Sequence, residues 1–303
     1  MWRALQILVL CFAAAAQPTA PIAIKGPSNA TAVESGTKPA IEDAEITSAQ
    51  SPNGEIIITN TPYKIPENQI LQFPVQVTKE ARLALAAKNQ VIDYVKAAIA
   101  VPRNFDPDLP YPVLLISGSS DGDGSSIRML PAYTNIALRL GWVVIAADGP
   151  HGKPVLDTPA WRWALASSLL DHMHKSWPKS RRWPIAAAGV SGGGKWSGVI
   201  GAILAQKQYN LIGVFMGAVN QDMASEAAKL YEPALRYKRT PIYLSSGTDD
   251  KIATPQQHNE VKDSLLNTGF QTVRIETFKG GHALSETDLR KALNWFVEEY
   301  SKQ

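Results

Sequence analysis

Cysteine is nearly missing. The chain has one, Cys11, in 303 residues. A lone thiol closes no disulfide within the chain and builds no thiolate metal cluster. An excess of charge of one sign is missing too: 30 Lys and Arg stand against 27 Asp and Glu, for a net +3. That balance gives no reason to expect nucleic acid or an anionic membrane as a partner. Beyond the N-terminus no apolar run reaches the roughly 18 residues that a membrane-spanning helix needs. No internal repeat is visible.

The N-terminus is read as a leader. Arg3 is a short basic region, Leu5 to Phe12 an apolar run, and Ala13 to Ala16 a set of small residues. This is the pattern of a secretory signal peptide over residues 1–16, cut after Ala16, and the expected location is secreted or periplasmic. Leu10 is bulky where a lipidation motif has a small residue before its cysteine. Cleavage would remove Cys11. Residues 17–54, rich in Pro, Ala, Ser and Thr, read as a flexible leader. In that stretch Asn29-Ala30-Thr31 matches a glycosylation acceptor, read as a chance match. Residues 55–303 are expected to form one domain; the chain is 45% hydrophobic, enough for a single large core.

From residue 55 strand and helix patterns alternate. The candidate strands are "EIIIT", "ILQFPVQVT", "KAAIAVP", "PVLLIS", "WVVIAAD", "IAAAGV", "LIGVFMGA", "PIYLSSG" and "TVRIETF". From the fourth on they are short continuous apolar runs, as strands are when helices cover both faces of a sheet. The candidate helices are "SIRMLPAYTNIALRLG", "TPAWRWALASSLLDHMHKSW", "GGKWSGVIGAILAQKQ", "DMASEAAKLYEPALRY", "TPQQHNEVKDSLLNTG" and "LSETDLRKALNWFVEEY". Gly141 is a stop signal, and Thr158-Pro159 and Thr254-Pro255 are start signals. This order implies an α/β fold with a doubly wound, mostly parallel sheet and helices on both faces.

The stretch "IAAAGVSGGGKWSG" can be parsed twice. Gly189 to Gly193 is G-x-S-x-G, a strand-to-helix turn that exposes a nucleophilic serine. Gly189 to Lys195 is G-x-x-x-x-G-K, nearly a phosphate-cradling loop. A phosphate loop needs Ser or Thr after the lysine, to bind Mg²⁺; here Trp196 follows. A serine nucleophile needs a general base, and the base an anion to orient it. Both have candidates in the expected chain order. "PIYLSSGTDDKIATP" offers Asp249 and Asp250 after a late strand, and "FKGGHALSE" offers His282 after the last. With those partners Ser191 is the candidate nucleophile.

These motifs resemble the α/β-hydrolase fold of the dienelactone hydrolase, feruloyl esterase and prolyl oligopeptidase group, over about residues 95–300. "AAIAVPRNFDPDLPYPVLLISG" and "GWVVIAADGPHG" are similar to its strands and following loops. The resemblance implies the α/β-hydrolase fold, with a sheet of about eight strands, and a serine esterase or peptidase activity. It matches Ser191 to the nucleophile, His282 to the base and, by G-x-x-D from Gly247, Asp250 to the acid. Asp222, one strand earlier, is an outside alternative, and Asp249 would face solvent or cap a helix. The oxyanion hole takes the N–H of Gly192 and a second donor from the loop after "PVLLIS". Where many relatives have His-Gly this chain has Ser117-Gly118-Ser119-Ser120, and Ser119 is the best match. Trp196 is a candidate to contact substrate or, equally, to pack in the core.

The expected activity is ester cleavage on a small or polysaccharide-linked substrate, with no metal or organic cofactor. A peptidase, or a binding protein on the same fold, is the alternative. "DGDG" at 121–124 lacks the further acidic ligands of a Ca²⁺ loop and reads as a solvated turn. His172 and His174, two apart, share no helix face and read as solvated. His151 and His258 read as surface histidines without an acid partner, and "KSRRW" as exposed charge. Trp161 and Trp163 are candidates to line the cleft.

Overall fold

The computed structural model describes residues 67–87, 91–119, 125–150, 157–232 and 235–302. The signal peptide, the leader, the "EIIIT" strand, His151 and the "DGDG" segment lie outside them.

Eight strands form one sheet: β1 (Ile70–Gln76), β2 (Tyr94–Ala100), β3 (Val113–Ser117), β4 (Val143–Asp148), β5 (Ile185–Val190), β6 (Leu211–Gly217), β7 (Ile242–Gly247) and β8 (Val273–Phe278). Each coincides with one of the expected strands. Their order is β1-β2-β4-β3-β5-β6-β7-β8. β1 and β2 are antiparallel to their neighbours, and the six strands from β4 to β8 pair in parallel. The chain steps outward from β3 to β4, then crosses back to β5 and proceeds the other way. Ligands of open α/β sheets sit outside the carboxyl ends of strands at such a reversal.

The helices are α1 (Lys79–Ala86), α2 (Ser125–Arg139), α3 (Pro159–Ser176), α4 (Gly192–Gln206), α5 (Met223–Leu230), α6 (Leu235–Arg239), α7 (Pro255–Thr268) and α8 (Glu286–Ser301). The capping chemistry accounts for several ends. Thr158 accepts from Trp161 N, and Thr254 forms a capping box with Gln257, each satisfying first-turn donors. Gly141 and Gly269 take φ of +77° and +98° where α2 and α7 stop, a conformation open to glycine.

Two expectations need correction. "DMASEAAKLYEPALRY" is not one helix but two, α5 and α6. Pro233, between them, has no N–H to donate and disfavours helix at the residue before it. α1 had no place among the expected helices. It is only eight residues long, buries Ala81 and Leu85, and is started by Thr78.

The sheet separates two cores. Val113, Leu115, Val143, Ile145, Ile185 and Ala187 face the layer of α1, α3, α4, α5, α6 and α7. Leu114, Ile116, Val144, Ala146, Ala186 and Ala188 face α2 and α8. The period of two is intact, but both faces are apolar, so the strands look continuous in sequence. Alanine and glycine thin the middle of the sheet. A methyl on Gly213 would collide with the ring of Phe296 from α8.

Candidate active site

Ser191 sits between β5 and α4 with φ 59° and ψ −127°. L-residues rarely adopt this conformation, which costs of order 1–3 kcal/mol. The turn is locked by close backbone packing. A methyl on Gly189 would strike the Gly193 carbonyl, and one on Gly193 would strike Ser117 O. One on Gly194 would lie 2.9 Å from Gly217 O. Ser191 N–H donates to Gly217 O at 2.8 Å, tying the turn to the end of β6. The glycines that suggested a phosphate cradle are thus spent on packing.

Asp250 follows β7 and is 3% exposed. Its Oδ2 lies 2.8 Å from His282 Nδ1. Its Oδ1 accepts from Ile252 N at 2.8 Å and Ala253 N at 3.0 Å. Burial raises the pKa of the carboxyl. The hydrogen bonds from Ala253, His282 and Ile252 and the charge of His282 outweigh it, so the net shift is downward. An anion so held orients the imidazole: Nδ1 donates to Asp250 and Nε2 keeps its lone pair. Asp249 points elsewhere, to Lys279 Nζ at 2.9 Å on the surface. Asp222 caps α5 by accepting from Ser225 N. Of the three candidate acids Asp250 touches His282.

The His282 loop packs onto β7. A methyl on Gly247 would collide with the carbonyls of Gly280 and Gly281, and Asp249 N donates to Gly280 O at 2.8 Å. Ser191, Asp250 and His282 therefore stand beyond the carboxyl ends of β5, β7 and β8.

The two expected oxyanion donors are the N–H groups of Gly192 and Ser119. Gly192 N–H opens α4, where the first turn leaves its donors without helical acceptors. Ser119 follows β3, the neighbour of β5, with Ser117 registered opposite Gly189. Ser119 abuts Gly192, where a methyl would lie 2.7 Å from Ser119 O. Gly118 N–H is engaged by Ser126 Oγ at 3.0 Å, whereas Ser119 N–H has no acceptor among the described residues.

Other expectations change. His174 is buried, with Nδ1 2.8 Å from Ser180 Oγ. Burial, aided by Arg181, pushes its pKa down to about 4. His172 is half-buried against Phe73, at 5.3 Å between ring centroids. Neither is solvated, because α3 is covered along most of its surface. His258 is fully buried on α7, and neither ring nitrogen has a hydrogen-bond partner among the described residues. It feels both Asp250 and His282, and burial takes its pKa to about 4. The surface reading failed because His258 shares the inner face of α7 with Val261 and Leu265. Trp161 is in the core at 1% exposed, and Trp163 packs edge-on against Tyr209. Trp196 is half-buried against the core with the Arg162 guanidinium 5.1 Å from its ring centroid.

No protein-family model matches the chain, and no curated protein matches it by sequence. Solved structures do match. A ferulic acid esterase superposes with a TM-score of 0.55 at 14% identity, over 76% of this chain and 98% of the other. A cold-adapted esterase from an Arctic intertidal metagenomic library gives 0.53 at 16%, over 76% and 94%. A putative dipeptidyl aminopeptidase IV from Bacteroides ovatus gives 0.51 at 14%, over 78% of this chain but 36% of that one. At these identities the likeness establishes the fold alone.

Proposed function

The chain has the α/β-hydrolase fold, and on that premise we propose that it is an exported serine hydrolase that cleaves carboxylic esters. One observation carries the reading: a buried, thrice hydrogen-bonded carboxylate orients a histidine at the sheet edge where a serine sits in a strained, glycine-locked turn. Ser191 Oγ attacks the ester carbonyl as His282 Nε2 takes its proton. Gly192 and Ser119 N–H stabilise the developing oxyanion. His282 then protonates the departing alcohol, and Asp250 stabilises the imidazolium throughout. Water repeats the sequence on the acyl-enzyme and restores Ser191. These steps need no metal or organic cofactor. Substrates are small esters or esters carried on polysaccharide. Export is inferred from residues 1–16. A peptidase of the same fold is the rival, and comparing ester with matched amide substrates separates them.

The test is a fluorophosphonate probe with the adduct mapped by mass spectrometry. A single adduct on Ser191, lost in His282→Ala, is expected. Folded protein that takes no adduct there would remove the reading.

A further inference from the structure

Besides the residues already given roles, the described part of the chain holds a buried polar chain that starts at the end of β4 and ends at the loop after β3. We propose that Asp148 and Ser126 form a clamp that sets the position of the second oxyanion donor. They are thus positioning residues for the hydrolysis assigned to Ser191, and the inference rests on that assignment.

Asp148 is the last residue of β4 and is wholly buried. Its two carboxylate oxygens accept from successive N–H groups in the first turn of α2: Oδ1 from Ser126 at 3.0 Å and Oδ2 from Ile127 at 2.8 Å. A carboxylate on a helix N-terminus makes charge-assisted bonds and complements the helix dipole. The backbone of Ser126, itself 1% exposed, is thereby held in place. Its Oγ then accepts the N–H of Gly118.

That last bond does two things. It consumes the Gly118 donor, so Gly118 cannot serve the oxyanion. It also fixes the peptide that immediately precedes the one bearing the Ser119 N–H. From the other side the loop is held by the serine turn: Ser119 Oγ donates to Val190 O at 3.3 Å, and Ser119 lies against Gly192. Gly118 has no side chain and Ser119 a small one, so these bonds fix the position of Gly118 and Ser119. Ser117 and Ser126, with Arg162, also line part of a cavity of about 20 Å³, room for about one water.

An oxyanion donor acts only if it lies within hydrogen-bonding range of where charge develops. Losing one outright costs about 10²- to 10³-fold in kcat, so a donor loosened by loss of its clamp should cost about tenfold. The test measures ester hydrolysis by the full chain and its Ser126→Ala variant, together with inhibition by a boronic acid that mimics the tetrahedral intermediate. The expected result is a kcat about tenfold lower with KM unchanged and a boronate Ki raised in parallel. Ser126→Cys, with a poorer acceptor of similar size, should fall between the two, and it stands in if the alanine variant does not fold. A variant with kcat/KM and Ki within twofold of the parent, or one with altered KM alone, overturns the clamp. Probe labelling of the parent keeps the two ideas apart. If Ser191 takes no adduct, the hydrolase reading has failed. If Ser191 labels and the Ser126 variants act like the parent, the clamp alone has failed.

Discussion

Two neighbouring aspartates show how much one position decides. Asp250 is buried and bonded to His282, while Asp249 reaches Lys279 at the surface. Asp250→Ala should lower kcat about 10⁴-fold, the scale for loss of the acid in such a triad. Asp249→Ala should stay within twofold, since an exposed ion pair contributes little. Steady-state kinetics on the pair checks both. The sequence offered the two side by side, and only the family spacing favoured Asp250. The structure adds why: after β7 ends at Gly247, the turn points the third residue inward, where Ile252 and Ala253 can donate to it. His258, Asp148 and Ser126 were not legible in that way. Their partners are distant in the chain or, for His258, missing among the described residues, and nothing local separates them from ordinary surface polar residues. The place of Asp148 at the carboxyl end of a central strand was the one signal that could have singled it out.

At the level of elements, each described strand matched an expected one, and β3 to β7 read as continuous apolar runs because buried parallel strands need an apolar side chain at nearly every position. Helices were legible where a start signal was clear, as at Thr158-Pro159 and Thr254-Pro255. α1 was not, being a short helix whose few apolar residues fit several patterns. The contact between β7 and the loop that carries His282 is a backbone-on-backbone approach, and glycine alone permits it. Gly247→Ala should push the Gly280–Gly281 segment off the end of β7. The overpacking should destabilise the protein by about 1–3 kcal/mol. Because His282 follows directly, kcat should also fall at least tenfold, the scale of an ångström-sized misplacement. Thermal melts and kinetics on the same preparation would show both effects together; a stability loss with unchanged kcat would mean that the loop position does not govern the histidine.

For the whole molecule, the two inward histidines set an acid limit on stability. Burial lowers the pKa of His174 and His258 from 6.5 to about 4. The unfolded chain therefore binds protons there that the folded chain refuses. Stability is complete above pH 6.5 and is lost as the pH falls from 6.5 towards 4. Asp250 adds a later loss: its lowered pKa stabilises the fold above the ordinary carboxylate range, and that contribution disappears as pH drops through the folded value. Urea unfolding at pH 7, 6, 5 and 4.5 should show the decline, and His258→Leu should flatten it by about one proton. An unchanged slope would mean that His258 titrates normally. The turn at Ser191 imposes a cost of another kind. Its backbone angles suit glycine, and its hydroxyl makes no hydrogen bond that caps α4. Among substitutions at this position, drift towards stability runs to glycine. On the proposed function a serine there opposes that drift, because its hydroxyl serves the chemistry rather than the fold.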